Sequence, residues 1–254
     1  MFRTLARCLG SEQPLIGVDP TLLEASEVSG PYRMEEVAAC LAKQIRELQP
    51  DGPYQLGGIC GGALIAYATA SYLVDHGQQV EILALFEPHP SYRATYVEHS
   101  TKLRSGWIGK KLKFHIDNFR RLESKDARLY VTDHIRERRR VLFNTLNSKL
   151  TNLRPHHRNG GPPNMRHILG LAYRDYLPRP FSGRITLFQA TYREPGGEWE
   201  RQYWRELATE IAIHEVPGYS NWIVRFFVEP NVRILAGQLQ SYLSGLEKRG
   251  KLTA

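Results

Sequence analysis

The sequence predicts an α/β fold, a mostly parallel sheet flanked by helices, on two observations. Short β-branched runs are apolar on both faces, as strands covered from both sides must be. Helical patterns stand between them, so strand and helix alternate along the chain.

The expected strands are PLIGV at 14–18, PYQLGG at 53–58, VEILALF at 80–86, RITLFQA at 184–190 and IAIHEV at 211–216. Residues 34–48, MEEVAACLAKQIREL, place apolar side chains at helical spacing and stop before Pro50; Ala63 to Val74 does the same before the turn DHG at 75–77. A last helix, about Glu229 to Leu246, closes the sheet. Residues 98–178 break this rhythm: they are long, basic and helical in pattern, with a polar bend at 154–164. An insertion of that length between two strands predicts a helical lid within a single domain spanning 1–254.

At 254 residues and 42% hydrophobic composition the chain can bury a full core. No apolar run approaches the roughly 18 residues of a membrane-spanning helix, and MFRTLARCLG lacks the apolar stretch of a signal peptide. The expectation is a soluble cytoplasmic protein without a membrane partner. Three cysteines, Cys8, Cys40 and Cys60, are too few and too irregularly spaced for a disulfide framework or a zinc site, so no metal is expected.

The net charge of +8 is uneven: residues 100–158 hold 16 Lys and Arg against 5 Asp and Glu, leaving −3 elsewhere. Such a segment is a solvated helical face, a nucleic-acid surface or a dock for an acidic protein. No nucleic-acid recognition motif accompanies the charge, so no nucleic-acid partner is expected.

Gly58-Ile59-Cys60-Gly61-Gly62, between an expected strand and an expected helix, has the form G-x-C-x-G. This is the nucleophile elbow with cysteine in the serine place; the alternative is a small buried residue in a glycine-rich bend, since so short a motif also arises by chance. A sharp turn forces the nucleophile into a strained backbone, and small neighbours avoid collision between strand and helix. The helix beginning at 61 directs its free N–H groups toward Cys60, which is expected to favour the thiolate. The Gly61 N–H is a candidate oxyanion donor.

The segment DGPYQLGGICGGALIAYATASYLVDHGQQVEILALFEPHP resembles the surroundings of the nucleophile in thioesterase domains of nonribosomal peptide and polyketide synthetases, which have the α/β-hydrolase fold. FRTLARCLGSEQPLIGV resembles the helix and strand before it, YLPRPFSGRITLFQA the strand after the lid, and IAIHEVPG with VEPNVRILAGQL the C-terminal end. The resemblance implies transfer of an acyl or peptidyl chain from the phosphopantetheine thiol of a carrier protein onto Cys60, then release by hydrolysis or cyclisation. The cofactor arrives on that carrier, and none is expected to reside in the chain. Carrier proteins in such families are commonly acidic, which gives the basic segment a partner.

A nucleophile of this class needs a base and an acid that orients it. The resemblance places the acid at Glu87, in LALFEPHP, where aspartate is usual. It places the base two residues after the glycine of V-P-G-x-H, where this chain has Ser220, which is no base near neutral pH. His214 falls inside an expected strand. His89, two residues past Glu87 on a loop expected to open at the carboxyl edge of the sheet, is the substitute candidate; His99, His115, His134, His156 and His157 lie in the lid segment. The resemblance also implies a preceding strand and a loop with a second oxyanion donor, whereas this chain begins inside the following helix. Two readings result: a thioesterase acting through Cys60, Glu87, Gly61 and a substitute base, or a catalytically impaired or fragmentary relative that binds a carrier protein or acyl chain.

Overall fold

A computed structural model describes residues 2–24, 28, 32–90, 107–153, 165–193 and 198–250. The chain divides into two compact units, Met1–Arg104 with Pro163–Ala254, and Ser105–Pro162. Among the described residues the α-helices in chain order are α1 (Phe2–Leu9), α2 (Met34–Leu48), α3 (Gly61–Asp75), α4 (Trp107–Arg121), α5 (Ser124–Leu153), α6 (Met165–Asp175), α7 (Glu198–Glu206) and α8 (Asn231–Gly250). The strands are β1 (Tyr54–Ile59), β2 (Val80–Phe86), β3 (Phe181–Tyr192) and β4 (Ala208–Tyr219). All pair in parallel, in the order β1-β2-β3-β4.

Parallel pairing obliges each connection to cross back over the sheet, and helices do this while covering both faces. β2 shows the result: Leu83 and Leu85 point to one face and Ile82, Ala84 and Phe86 to the other, all of them buried. On the first face they meet Val37, Ala38 and Leu41 of α2, Leu64 and Tyr67 of α3, Ile168 and Ala172 of α6, and Trp204 of α7. On the second they meet Leu5 and Leu9 of α1, Val232, Leu235 and Leu239 of α8, and Phe226 and Phe227 of the 3-10 helix Ser220–Phe227.

One expected element differs. Residues 14–18 form no strand: they belong to no regular element, with Leu15, Ile16 and Val18 exposed at 44%, 67% and 42%. A strand exists by its ladder, and among the described residues no strand pairs with this run; the recorded tie to β1 is a side-chain bond, Gln13 Nε2 donating to Gln55 Oε1 at 3.1 Å. A helix between β3 and β4 was not read from the sequence. Its residues, EWERQYWRE, are mostly charged, and α7 is anchored chiefly by Trp204, which is fully buried.

The stretch 98–178 expected as a lid spans two structural contexts. α4 and α5 belong to the second unit, whereas α6 lies in the first, packed on α2 and the short 3-10 helix Pro20–Leu22. Within the second unit α4 meets α5 through a polar core. Asn118 is fully buried and its Nδ2 donates to the Tyr130 hydroxyl at 3.3 Å, which lies 2.8 Å from His115 Nδ1. His134 Nδ1 donates to the Tyr130 carbonyl at 2.7 Å. No described helix is long and apolar enough to cross a membrane.

Candidate active site

The register sets the geometry. Ile59 pairs with Phe86 and Phe86 with Phe188, so the residues that step off the carboxyl ends of β1 and β2 start side by side. The Cys60 N–H donates to the Phe86 carbonyl at 3.0 Å, and the Glu87 N–H to the Phe188 carbonyl at 2.9 Å. Cys60 and Glu87 thus occupy neighbouring positions at the edge where ligands bind in open parallel sheets.

Cys60 is the turn itself. Its backbone takes φ 53°, ψ −122°, and α3 begins at the next residue. A side-chain-bearing residue held there costs about 1–3 kcal/mol and persists because its surroundings fix it. Gly58 makes the turn possible: a Cβ at this position would lie 2.5 Å from the Gly62 carbonyl carbon and 2.7 Å from the Ala63 nitrogen. The strand therefore passes directly under the first turn of the helix, and the side chain of Cys60 is thrown outward to solvent.

Glu87, also left-handed at φ 41°, is 2% exposed. Its oxygens are engaged. Arg193 Nη1 lies 3.0 Å from both, and the Ala190 N–H donates to Oε1. Arg193 Nη2 in turn donates to Glu200 Oε2 at 2.6 Å, and Glu200 Oε1 lies 3.2 Å from His89 Nδ1. Four charged or titratable groups, Glu87, Arg193, Glu200 and His89, form one chain across the ends of β2 and β3 and the first turn of α7.

The loop carrying His89 is pinned from two further sides. Trp204 Nε1–H donates to the Pro88 carbonyl at 3.3 Å. The Tyr173 hydroxyl lies 3.1 Å from both the His89 and Pro90 carbonyls, while its ring edge would stand 3.6 Å from a Cβ on Gly61. One tyrosine of α6 therefore stands beside the elbow and hydrogen-bonds the loop with the histidine.

Electrostatics changes one expectation. Although the Cys60 side chain reaches solvent, the packed turn around it partly desolvates the thiol and pushes it up, the charges of Glu87 and Glu200 add to the rise, and the Gly61 N–H opposes it. This direction runs against the thiolate expected from the helix end. Burial likewise pushes the Glu87 carboxyl up, opposed by Arg193 and the Ala190 N–H. His89 moves up because Glu200 stabilises the imidazolium, with burial opposing.

The other sequence candidates lie elsewhere. Ser220 follows β4 directly and opens the 3-10 helix Ser220–Phe227. His214 sits within β4, stacked on Phe188 at 5.2 Å between ring centroids, and burial lowers its pKa. His115 and His134 face Tyr130 in the second unit; His99, His156 and His157 fall outside the described residues. Among the described residues no cluster of three or more His, Cys, Asp or Glu suited to a metal ion occurs. Sequence reasoning missed Arg193, Glu200 and Tyr173. A signal for Glu200 existed, since two parallel strands require a crossover and its first turn must open at the same sheet edge.

A family model, described as thioesterase domain, matches residues 1–222. The chain is 24% identical over 258 residues to chondramide synthase of Chondromyces crocatus, covering 96% of this chain, and 41% identical over 88 residues to indigoidine synthase of Dickeya dadantii, covering 34% of this chain. It spans 6% of the length of each of those relatives. Among solved structures, RedJ thioesterase from the prodiginine biosynthetic pathway in Streptomyces coelicolor superposes with a TM-score of 0.54 at 22% identity, over 94% of this chain and 83% of that one. A four-domain nonribosomal peptide synthetase bound to AMP and glycine gives 0.58 at 22%, over 95% and 18%. The parallel sheet between two helical layers is thus the α/β-hydrolase fold, and with a matching model over most of its length, the chain belongs to the thioesterase domain family.

Proposed function

We propose that this domain takes an acyl or peptidyl chain from the phosphopantetheine thiol of a carrier protein onto Cys60 and releases it to water or to a nucleophile of the chain itself. The observation that carries this is the backbone of Cys60, strained at φ 53° between β1 and the first turn of α3, with its side chain exposed. Strain of this kind in a buried framework supports a functional position.

The thiol form at Cys60 makes a proton acceptor necessary, and His89 is the histidine on the adjoining loop. Its Nε2 takes the Cys60 proton as the sulfur attacks the thioester carbonyl; the Gly61 N–H receives the oxyanion; the phosphopantetheine sulfur departs and recovers the proton from the imidazolium. Exchange of one thioester for another is nearly balanced, so the second step drives release. The 16 basic residues between 100 and 158 suit an acidic carrier protein.

The second reading, a carrier-binding relative without turnover, is favoured by Ser220 in the place of the expected histidine and by the engagement of Glu87 with Arg193. Incubation with an acyl-phosphopantetheine carrier, followed by mass spectrometry of the intact protein, separates the two. An acyl adduct that disappears in Cys60→Ala supports the enzyme; salt-sensitive carrier binding with no adduct supports the binder.

A further inference from the structure

We propose that Glu200, on the first turn of α7, is the positioning residue of His89, holding the imidazole by Nδ1 so that Nε2 faces the elbow. The inference rests on the reading of Cys60 as nucleophile and His89 as its base. Its ground is the chain of contacts at the sheet edge. The Glu87 carboxylate is directed to the Arg193 guanidinium and the Ala190 N–H rather than to a histidine. The carboxylate that reaches a histidine here is Glu200, 3.2 Å from His89 Nδ1.

The arrangement has the logic of an acid-oriented base. The carboxylate engages Nδ1, which leaves Nε2 as the nitrogen that accepts a proton. Glu200 is itself fixed, 14% exposed, by Arg193 at 2.6 Å. Arg193 divides its guanidinium between two carboxylates, so Glu87 acts as the buried anchor of the arginine that steadies Glu200. The backbone of the histidine loop is held independently by Tyr173 and Trp204, so Glu200 acts on the ring rather than on the loop. The charged groups facing His89 are Glu200 and Glu87, which favour its protonated form, and Arg193, which opposes it.

The test uses the whole chain with an acyl carrier thioester, following formation of the acyl-enzyme against pH, and in parallel the NMR titration of the His89 ring. Glu200→Gln is expected to slow acylation about 10²–10⁴-fold, and to lower the His89 midpoint and the acid limb of the rate profile together, by about one pH unit. Glu200→Asp restores part of both. An unchanged His89 midpoint in Glu200→Gln overturns the proposal, as does a wild-type acylation rate with an unmoved acid limb. Failure of the underlying reading looks different: acylation then persists in Cys60→Ala or never occurs, while the His89 midpoint still answers whether Glu200 holds the ring.

Discussion

Arg193 and Glu87 form a buried ion pair at the carboxyl edge of the sheet, with one guanidinium nitrogen 3.0 Å from each carboxylate oxygen and side chains 13% and 2% exposed. The pair occupies the position where the family resemblance places the acid of a triad, and it gives that acid a cationic partner just past the end of β3 instead of a histidine just past β4.

Removing the arginine leaves a carboxylate without compensation. Arg193→Met is expected to lower stability by about 3–5 kcal/mol at neutral pH. Burial already pushes the Glu87 carboxyl up, and loss of the cation pushes it further above its unfolded value. The cost is therefore small through the ordinary carboxylate range, where folded Glu87 is still protonated in both proteins, and grows as pH rises above the raised wild-type value toward the higher one of the variant. Urea denaturation of both proteins on either side of that range measures it; a pH-independent difference contradicts the pairing.

Cys60 is expected to react slowly with iodoacetamide at neutral pH, because its thiol is pushed up by desolvation and by Glu87 and Glu200. The alkylation rate rises about tenfold per pH unit until the thiol ionises, with a midpoint above that of an ordinary cysteine. A plateau reached below neutrality would show a pre-formed thiolate and restore the helix end as the dominant influence.

Gly58→Ala places a methyl group against the Gly62 carbonyl and Ala63 nitrogen. Backbone cannot yield there without moving α3 off the strand, so the variant loses about 1–3 kcal/mol and its acylation by substrate falls more than its binding of carrier. Thermal melts and single-turnover acylation report the two effects separately.

Tyr173→Phe removes the hydroxyl that meets the His89 and Pro90 carbonyls while keeping the ring beside Gly61. A loss of about 0.5–1.5 kcal/mol in stability is expected. The larger effect falls on the acylation rate, through loosening of the histidine loop, with the His89 midpoint nearly unchanged because Glu200 still holds Nδ1.

Most of the sheet was legible because parallel strands advertise themselves. VEILALF at 80–86 coincides with β2, buried on both faces, and MEEVAACLAKQIREL coincides with α2, whose buried Val37, Ala38, Leu41 and Ala42 follow the helical repeat. PLIGV at 14–18 has the same local character, yet forms no strand, since a strand requires a neighbour to complete its hydrogen bonds and that requirement is not local. α7 went unread for the opposite reason: its helix is dictated by the crossover between β3 and β4 and by one buried tryptophan, with little apolar repeat of its own.

The sequence by itself determined the elbow. Gly58 and Cys60 stand where a strand turns into a helix, and the steric demand of that turn is written in five consecutive residues. Only the tertiary structure decided the partners. Glu87, Arg193, Glu200 and His89 are joined across separations of up to 111 residues, and a carboxylate's role depends on which cation or ring reaches its oxygens. The sheet register, which sets β1, β2 and β3 side by side, brings those groups to one edge beside Cys60.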